Sequence, residues 1–524
     1  MKKYLFLAVA ALGLAACAEK GLDNGPVQNG ELEQSYMAIT LAADDMNTKA
    51  DHDKDAYEEG LESERAVNLA YVFFFKDGEP FYVAFDGTTS TNARPNNYVQ
   101  VQLPANGNEM PNVSDVKEAV LVIQNYQGEY PNQVVAVLNW EPKADEYTLD
   151  NLMNVVTNLE ETGYGFVMSN AVYADAANQA IYATDLTIAN IGKTANEALA
   201  NPVTIHVERV AAKVVFTAAN DGLFSVGKEI DGTPVYAKIM GYELFNDYET
   251  SRLVKKIDPT WNVGFNWNDA DWFRSYWAES IDTEFPNNSF AWSTDNEEIG
   301  TYVYCGENTR PWTVEDDVRT KVVVKAQLVM ANGETPIEIT NWYGKDYLGE
   351  GTLRTVVANT LKNTYFYGND EDTVFTGLLP EDIKCVARDV NEENAFEVYF
   401  QLSETGDVKT WYKYEGGNYT PIAIDAINTE LAAVQPALVY TNGMTYYYTN
   451  IQHLGAPASA GQYGVVRNHV YKVNITGVVG YGTPVYNGTT GYVSTEKPDQ
   501  IETYVAAQIN VLSWRIVEQD TILQ

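Results

Sequence analysis

Short runs of aromatic and β-branched residues, separated by glycine, asparagine and aspartate, recur along most of the chain. The clearest run covers residues 67–75 and leads through Lys-Asp-Gly-Glu-Pro into a second run at 81–85, which predicts a β-hairpin. Further strands are predicted at 134–138, which is continuously apolar, and at 203–207 and 472–476, where apolar and polar residues alternate. Because these residue types fit the half-buried surface of a sheet, the pattern predicts an all-β protein.

One segment has the spacing of a helix instead. Its apolar residues stand at positions 149, 152, 153, 155, 156 and 159. This spacing places them along one side of a helix, so it predicts a single amphipathic helix over 149–159 that lies across a sheet.

The chain is long and strongly acidic. It has 524 residues, of which 34 are Lys or Arg and 72 are Asp or Glu, and its formal net charge is −38. The length predicts more than one domain, because single cores stop growing at a few hundred residues. A surface of this charge repels nucleic acid and anionic lipid, so neither is expected as a partner. The hydrophobic content of 45% supplies packed cores and excludes a disordered acidic chain.

The N-terminus has the order of a secretory signal peptide. Lys2 and Lys3 precede an almost unbroken apolar stretch at 4–14, and small residues then lead into Cys17. The Leu-Ala-Ala-Cys sequence at 14–17 resembles a bacterial lipobox, which implies cleavage after residue 16 and a lipid on Cys17. The alternative is an ordinary cleaved signal in which Cys17 is incidental. No later segment is apolar enough to predict a transmembrane helix.

Residues with catalytic or metal-binding chemistry form no recognisable pattern. The chain has no nucleophile elbow, P-loop or EF-hand sequence, so no enzyme and no cofactor are predicted. None of the four histidines has a partner at metal-ligand spacing, so no metal site is predicted either. The acidic runs at 295–298 and 369–372 are expected to be solvated turns. Cys305 and Cys385 form a disulfide or remain as two buried thiols, and both alternatives stay open.

Two strand patterns stand near opposite ends of the chain. Near the N-terminus, residues 35–41 alternate between apolar and polar, and a polar loop at 42–65 follows. The C-terminal tail alternates in the same way until its phase changes at Ser513, which predicts a bulge or a change of partner. The plain alternative for the tail is a strand that pairs inside its own domain.

Four short strings carry a resemblance to a known family. They are Phe-Val-Met-Ser-Asn at 166–170, Val-Glu-Arg-Val-Ala-Ala-Lys-Val at 207–214, Tyr-Val-Tyr-Cys-Gly-Glu-Asn-Thr at 302–309, and Gly-Val-Val-Arg-Asn-His-Val-Tyr at 464–471, which continues to Gly-Thr-Pro-Val at 482–485. In this order behind a lipobox, they resemble the fimbrillins of Bacteroidetes, the type V pilins. The C-terminal third is most similar to the major subunit of the short fimbriae of Porphyromonas and its gut Bacteroides relatives. Residues 216–300 match nothing in this family and are expected to hold insertions.

The resemblance implies two transthyretin-like β-sandwich domains in tandem, with a few short helices. It divides the chain into a signal peptide (1–16), a lipidated propeptide (17–49), an N-terminal sandwich (50–202) and a C-terminal sandwich (203–524). It implies a structural subunit of a cell-surface fimbria, or pilus, that supports adhesion and biofilm formation. Such pilins reach the outer membrane as lipoproteins, and a trypsin-like protease then cuts the loop after the first strand. A strand from the C-terminal region of another subunit fills the groove that this cut opens.

The resemblance also implies where the protease cuts. The favoured site is the Lys49–Ala50 bond, because its Thr-Lys-Ala-Asp setting is similar to the Thr-Arg-Ala of the family. Lysine here departs from the arginine that is usual in the family. The Arg65–Ala66 bond is the second choice, since the arginine fits but stands two residues before the first strong strand run. Lys54 offers a third basic site in the same loop.

The strands of the exchange map onto the two terminal patterns. The removed strand, at 36–41, has the apolar positions Met37, Ile39 and Leu41. The expected donor strand lies in the tail 505–524 and contains Val505, Ala507, Ile509, Val511 and Trp514. Expected partners are other copies of the chain and other fimbrial subunits, a trypsin-like surface protease, the lipoprotein maturation machinery, and surface ligands on host or bacterial cells.

Other functions remain open at this point. One alternative is that the chain is a tip or anchor subunit of the same fimbria, in place of a stalk subunit. In a different class, it is a surface lipoprotein that binds glycans through exposed aromatic residues. A hydrolase has no motif in its favour.

Overall fold

The computed structural model describes residues 33–43, 60–82, 96–101, 116–125, 130–174, 179–257, 278–281, 289–291, 299–309, 318–368, 374–388, 396–453, 462–486, 490–492 and 515–523. The predicted lipidation site Cys17, His52, the acidic runs and the preferred cleavage site Lys49–Ala50 lie outside these residues.

The strands up to residue 209 form the N-terminal part of the fold. They are β1 (Glu33–Ala43), β2 (Ala70–Lys76), β3 (Glu79–Pro80), β4 (Tyr98–Gln100), β5 (Val116–Asn125), β6 (Gln133–Leu138), β7 (Val156–Asn158), β8 (Glu160–Glu161), β9 (Gly165–Phe166), β10 (Met168–Asn170), β11 (Tyr173–Ala174), β12 (Ala180–Ile181), β13 (Thr184–Asp185), β14 (Ile191–Gly192) and β15 (Val203–Arg209). The helices are α1 (Glu62–Arg65), α2 (Leu149–Met153) and α3 (Ala195–Ala200).

The later strands form the C-terminal part. They are β16 (Ala212–Ala218), β17 (Leu223–Ile230), β18 (Thr233–Phe245), β19 (Thr250–Arg252), β20 (Ser289–Ala291), β21 (Tyr302–Cys305), β22 (Lys321–Val329), β23 (Ile339–Trp342), β24 (Lys345–Leu348), β25 (Tyr365–Gly368), β26 (Phe375–Gly377), β27 (Ile383–Ala387), β28 (Glu397–Leu402), β29 (Trp411–Glu415), β30 (Asn418–Ile422), β31 (Ala437–Tyr440), β32 (Met444–Asn450), β33 (His469–Val478), β34 (Thr483–Pro484), β35 (Thr490–Tyr492) and β36 (Arg515–Leu523). The helices are α4 (Glu350–Leu361), α5 (Glu404–Asp407) and α6 (Ile424–Ala432).

The N-terminal sheet has the strand order β14-β1-β15-β10-β6-β2-β3, with β5 beside β1, β4 beside β2 and β13 beside β6. A hairpin lies at the predicted place, but its second strand differs from the prediction: β3 is Glu79–Pro80, which the sequence assigned to the turn, and residues 81–82 of the predicted strand 81–85 are not in a strand. Asp77 and Gly78 form the turn with positive φ angles of 55° and 83°, which match the right-handed twist of the two strands. The buried side chains of β2 and β6 pack around Trp140 in one hydrophobic core.

Two sheets share one core in the C-terminal part. One has the order β21-β16-β33-β36 and the other β17-β18-β22-β32-β34. Val214 and Tyr471 of the first sheet belong to the same buried cluster as Tyr242 and Val324 of the second. The predicted all-β class with a few short helices is confirmed, and this half is a β-sandwich. The transthyretin-like topology stays a prediction.

A separate hydrophobic core lies between β22 and β32 in the sequence. It joins a sheet of order β24-β23-β31-β28-β27, a second sheet of order β26-β25-β29-β30, and the helices α4 and α6. Trp342, Leu353, Trp411 and Leu431 are among its buried residues. The sequence predicted insertions in 216–300 instead, yet β17 and β18 of that region build the sandwich core.

Two further predictions concern the boundary between the domains and the two cysteines. The boundary expected at 203 falls inside the N-terminal core, because β15 belongs to the N-terminal sheet and the change of core comes between Ala211 and Ala212. Cys305 and Cys385 are two buried free thiols, each in a different core, so the disulfide alternative is wrong.

The predicted helix over 149–159 is wrong in its second half. Helix α2 ends at Met153, and the backbone N–H of Asn154 bonds back to the carbonyl of Asp150. Residues 156–158 form β7, which pairs antiparallel with β19. Val155, Val156 and Thr157 are β-branched, so this run suits a strand once a distant partner is present.

Candidate functional site

β1 lies inside the N-terminal sheet, with a strand along each of its edges. One edge pairs antiparallel with β5 over almost its whole length. The other edge pairs antiparallel with β14 at Tyr36 and Met37, and then parallel with β15 from Ile39 to Ala43. The side chain of Met37 is fully buried in the N-terminal core. The strand predicted to be removed is therefore an internal strand of the N-terminal sheet.

Loss of β1 would alter two neighbouring strands. Among the described strands, β5 pairs only with β1, whereas β15 also pairs with β10. Ile39 and Leu41 pair with Val203 and Ile205 of β15, and both valine and isoleucine side chains are buried in the core. Removal of β1 would leave unpaired backbone groups beside an apolar surface. A strand edge of this kind accepts another strand.

The C-terminal strand β36 occupies the edge of its sheet. It pairs in parallel with β33, and no second partner is found among the described strands. The side chain of Leu523 is fully buried in the C-terminal core. Residues 515–523 thus pair inside their own domain, as the plain alternative for the tail predicted. The five predicted donor residues, Val505, Ala507, Ile509, Val511 and Trp514, lie outside the described residues.

Helix α1 fastens the segment before β2 to both domains. Its Glu64 side chain is fully buried, and one carboxylate oxygen accepts hydrogen bonds from Lys213 Nζ, at 2.8 Å, and from the Tyr304 hydroxyl. The other oxygen accepts the backbone N–H of Leu61 at 2.7 Å. The backbone carbonyl of Glu64 accepts the Nε–H of Arg209. We call Glu64, Arg209, Lys213 and Tyr304 the Glu64 clamp.

Electrostatics favour the ionised form of Glu64. Burial by itself raises the pKa of this carboxyl, but the hydrogen bonds from Lys213 and Tyr304, the Leu61 N–H and the charge of Lys213 outweigh it. The net result is a pKa of Glu64 below its ordinary value. Burial and the bond to Glu64 raise the pKa of Tyr304, which stays protonated as a donor. The clamp is therefore a buried, satisfied ion pair.

Two more buried ion pairs lie at the junction between the domains. Arg467 Nε lies 2.9 Å from a carboxylate oxygen of Glu307, and both side chains are almost inaccessible. The Arg467 guanidinium also donates to the backbone carbonyl of Leu253. Lys255 Nζ lies 3.4 Å from Glu208. Such pairs require their partners, since an unpaired buried charge is costly.

Apolar contacts reinforce the same junction. Four residues of the C-terminal part of the chain belong to the N-terminal core: Leu253, Val254, Ile257 and Val466. Nearby, β19 pairs with β7 across the two parts of the chain. The two domains consequently share one interface that is apolar at its centre and ionic beside it.

The four strings that carried the family resemblance meet at this junction. Ser169 of the first string donates to the carbonyl of Leu253. Arg209 of the second bonds through Nη1 to Asn468 of the fourth at 3.1 Å, and Arg467 of the fourth pairs with Glu307 of the third. Their role at the junction was not predicted from the sequence. The available signal was the presence of Arg, Lys and Glu inside otherwise apolar strings.

The second-choice cleavage site lies at the C-terminal end of helix α1. Arg65 is its last residue and Ala66 follows directly, so the second-choice bond adjoins the buried Glu64. Lys49, Ala50 and Lys54 lie outside the described residues.

The described parts of the chain contain no group of three or more His, Cys, Asp or Glu residues placed to hold a metal ion. They also contain no helix whose length and apolar character would let it cross a membrane. His453 and His469 are buried, and their Nδ1 atoms lie 2.9 Å from the Tyr471 hydroxyl and 2.7 Å from the Arg467 carbonyl. Both therefore serve the packed interior.

Comparison with protein families confirms the resemblance for the C-terminal region. The family described as "Major fimbrial subunit protein type IV, Fimbrillin, C-terminal" matches residues 438–520. This range runs from β31 into β36. The C-terminal region of this chain is thus similar to the C-terminal region of fimbrillins. No curated protein matches the sequence.

Solved structures from Bacteroidetes are similar over much of the chain. A candidate cell adhesion protein of Parabacteroides distasonis is 13% identical, with a TM-score of 0.33, and the match covers 94% of this chain and 99% of that one. A fimbrilin of Porphyromonas gingivalis is 11% identical, with a TM-score of 0.33 and coverage of 93% and 96%. A second candidate adhesion protein of P. distasonis is 14% identical, with a TM-score of 0.31 and coverage of 59% and 77%. Scores this low do not transfer residue roles to this chain.

Proposed function

We propose that this chain is a structural subunit of a cell-surface fimbria that polymerises by protease-triggered strand exchange. The observation that carries the proposal is the internal position of β1, between β5 on one edge and β14 and β15 on the other. Removal of an internal strand opens a groove that needs a replacement strand. The fimbrillin match at 438–520 supports a fimbrial role for the region that leads to the donor tail.

The tail repeats the pattern of the strand that it would replace. Residues 35–42 read Ser-Tyr-Met-Ala-Ile-Thr-Leu-Ala, and residues 503–510 read Thr-Tyr-Val-Ala-Ala-Gln-Ile-Asn. Aligned at Tyr36 and Tyr504, this register gives Val505 the position of the buried Met37 and Ile509 that of Leu41. The match favours the segment around 505–511, rather than β36, as the donor.

Maturation supplies the trigger in this proposal. The lipobox-like sequence at Cys17 carries the precursor to the outer membrane as a lipoprotein. Cleavage after Lys49 by a trypsin-like protease then removes the lipid together with β1. The N-terminal sequence of the protein taken from cells tests this step, because Ala50 as the first residue supports it and lipidated Cys17 in the mature protein contradicts it.

The donor assignment is tested by substitution within the tail. Val505→Asp and Ile509→Asp are expected to abolish polymers on SDS gels of unheated protein, because a carboxylate would enter an apolar groove. Deletion of the whole tail is less clean, since it also removes the buried Leu523. Gln508→Asp, on the opposite face of the same strand, is the matched control and should leave polymers intact. Polymers that persist in both Val505→Asp and Ile509→Asp would contradict the donor assignment.

A second candidate function, glycan binding, is favoured by one surface. The register of the sheet β26-β25-β29-β30 puts aromatic residues together on one face. They are Phe366, Phe375, Tyr412, Tyr414 and Tyr419. Tyr414 and Tyr419 are about two-fifths exposed, at 41% and 39%, and their ring centroids lie 4.9 Å apart. A glycan array should then lose signal with Tyr419→Ser and keep it with Asn418→Ser.

A further inference from the structure

The Arg65–Ala66 bond carries the residue type that a trypsin-like protease prefers, yet hydrogen bonds hold it from both sides. Upstream, the Glu64 clamp holds both the side chain and the backbone carbonyl of the preceding residue. Downstream, the carbonyl of Ala66 accepts Asn139 Nδ2 at 2.8 Å, and Asn139 Oδ1 accepts the N–H of Asn68 at 2.9 Å. Asn139 is itself fully buried.

Proteases cut chains that can leave the fold locally, so exposed loops are cut first. Presenting Arg65 to a protease would require withdrawal of Glu64 from Lys213 and of the neighbouring backbone from Asn139. This opening would leave Lys213, which is almost inaccessible, without its carboxylate partner. When opening is fast relative to cleavage, the cleavage rate follows the population of the open form.

We propose that the Glu64 clamp determines where the maturation protease cuts, by protecting Arg65–Ala66 and leaving the basic sites of the preceding loop as substrates. The inference rests on the proposed protease-triggered function. The inference adds that Glu64 selects the cleavage site. Protection of Arg65 would also account for cleavage after a lysine although an arginine stands nearby.

The clamp has a second consequence for the mature subunit. A cut after Lys49 or Lys54 leaves α1 attached to β2, so Glu64 continues to bind Lys213 and Tyr304 of the C-terminal domain. A cut after Arg65 would remove Glu64 and leave Lys213 unpaired at the domain junction. The clamp therefore confines the change on maturation to the β1 groove and keeps the junction intact.

The test is limited trypsin digestion of the purified full chain, with new N-termini identified by mass spectrometry. In the native sequence, Ala50 or Asp55 should appear as a new N-terminus at least about ten times faster than Ala66. In Glu64→Gln, which loses the charge and keeps the shape, the rate for Ala66 should rise at least about tenfold. Tyr304→Phe, which removes a single hydrogen bond, should give a smaller rise.

Glu62→Gln is the matched control, because Glu62 lies in the same helix and is exposed. It should leave the order and the rates of the cuts unchanged. The proposal is overturned if Ala66 appears as fast as Ala50 in the native sequence. It is also overturned if Glu64→Gln and Tyr304→Phe both keep their thermal transition and both leave the Ala66 rate unchanged.

Failure of the proposed function gives a different result. If the chain does not assemble by strand exchange, the product that begins at Ala50 stays monomeric in size-exclusion chromatography even after the fragment that holds β1 has been separated from it. The order of the cuts would still follow the clamp in that case.

Discussion

The two terminal strands of the described fold differ in how their sheets hold them. β1 has partners on both edges and gives Met37 to the core. β36 pairs on one edge only, with β33, among the strands described. Loss of an internal strand leaves a gap with two sides, whereas loss of an edge strand leaves a sheet that is merely narrower. Under the proposed strand exchange, the N-terminal domain is therefore the part that would require a replacement strand.

The largest expected effect comes from removing β1 itself. A chain that begins at Ala50 should not remain a folded monomer, because β5 loses its described strand partner and the edge of β15 beside Val203 and Ile205 is uncovered. Light scattering after size exclusion should show oligomers or aggregates. As a control, a precursor cut after Lys49 but still holding β1 should remain monomeric. A stable monomer that begins at Ala50 would contradict the need for a replacement strand in the N-terminal sheet.

The junction should matter equally before and after strand exchange. Glu307→Gln leaves the buried Arg467 guanidinium without its carboxylate, and breaking such a pair costs about 3–5 kcal/mol. Chemical denaturation should show this loss in the precursor and in the matured subunit alike. Glu334→Gln, on an exposed turn, is the control and should change little. A loss confined to one form would mean that the junction rearranges on maturation.

One buried side chain in each terminal strand can be shortened to compare the two strands directly. Met37→Ala and Leu523→Ala each create a cavity in a core, at a cost of about 2–5 kcal/mol in the free energy of unfolding. In the precursor both losses should be measurable by denaturation. After maturation only Leu523→Ala should still destabilise, because β1 is gone. Persistence of the Met37 effect in the polymer would contradict the removal of β1.

The smallest effect concerns pH. The folded-state pKa of Glu64 is lowered, so its stabilisation is complete above the ordinary carboxyl pKa and is lost as pH falls through the lowered value. The free energy of unfolding should therefore differ most between the native sequence and Glu64→Gln at neutral pH. The difference should shrink in acid denaturation series. Glu62→Gln should show no such convergence.

Local patterns predicted individual elements well. Three elements follow from residue type and from alternation along a few neighbours. They are the turn at Asp77 and Gly78, the strand β15 and the strand around Met37. The helix expected at 149–159 shows the limit of such reasoning. Its apolar spacing is helical, but Val156 and Thr157 pair with a strand far along the chain.

The candidate site was only half accessible from the sequence. The removable strand and the basic sites were predicted, whereas Glu64 stood in a polar stretch that read as a solvated loop. Nothing within a few residues of Glu64 indicates that Lys213 and Tyr304 surround it. Burial of a charged residue depends on partners that are distant in sequence, so no local pattern reveals it.

The residue pattern was enough to predict the all-β class, the positions of many strands and the likeness of the C-terminal region to fimbrillins. The secretory start stays a prediction. The folded structure was needed to show that β1 lies between β5 and β15, that a separate core lies between β22 and β32, and that Arg65 adjoins the Glu64 clamp. The physical reason is the range of the interactions. Strand propensity is set by side chains two residues apart, whereas sheet order and buried ion pairs are set by contacts between distant parts of the chain.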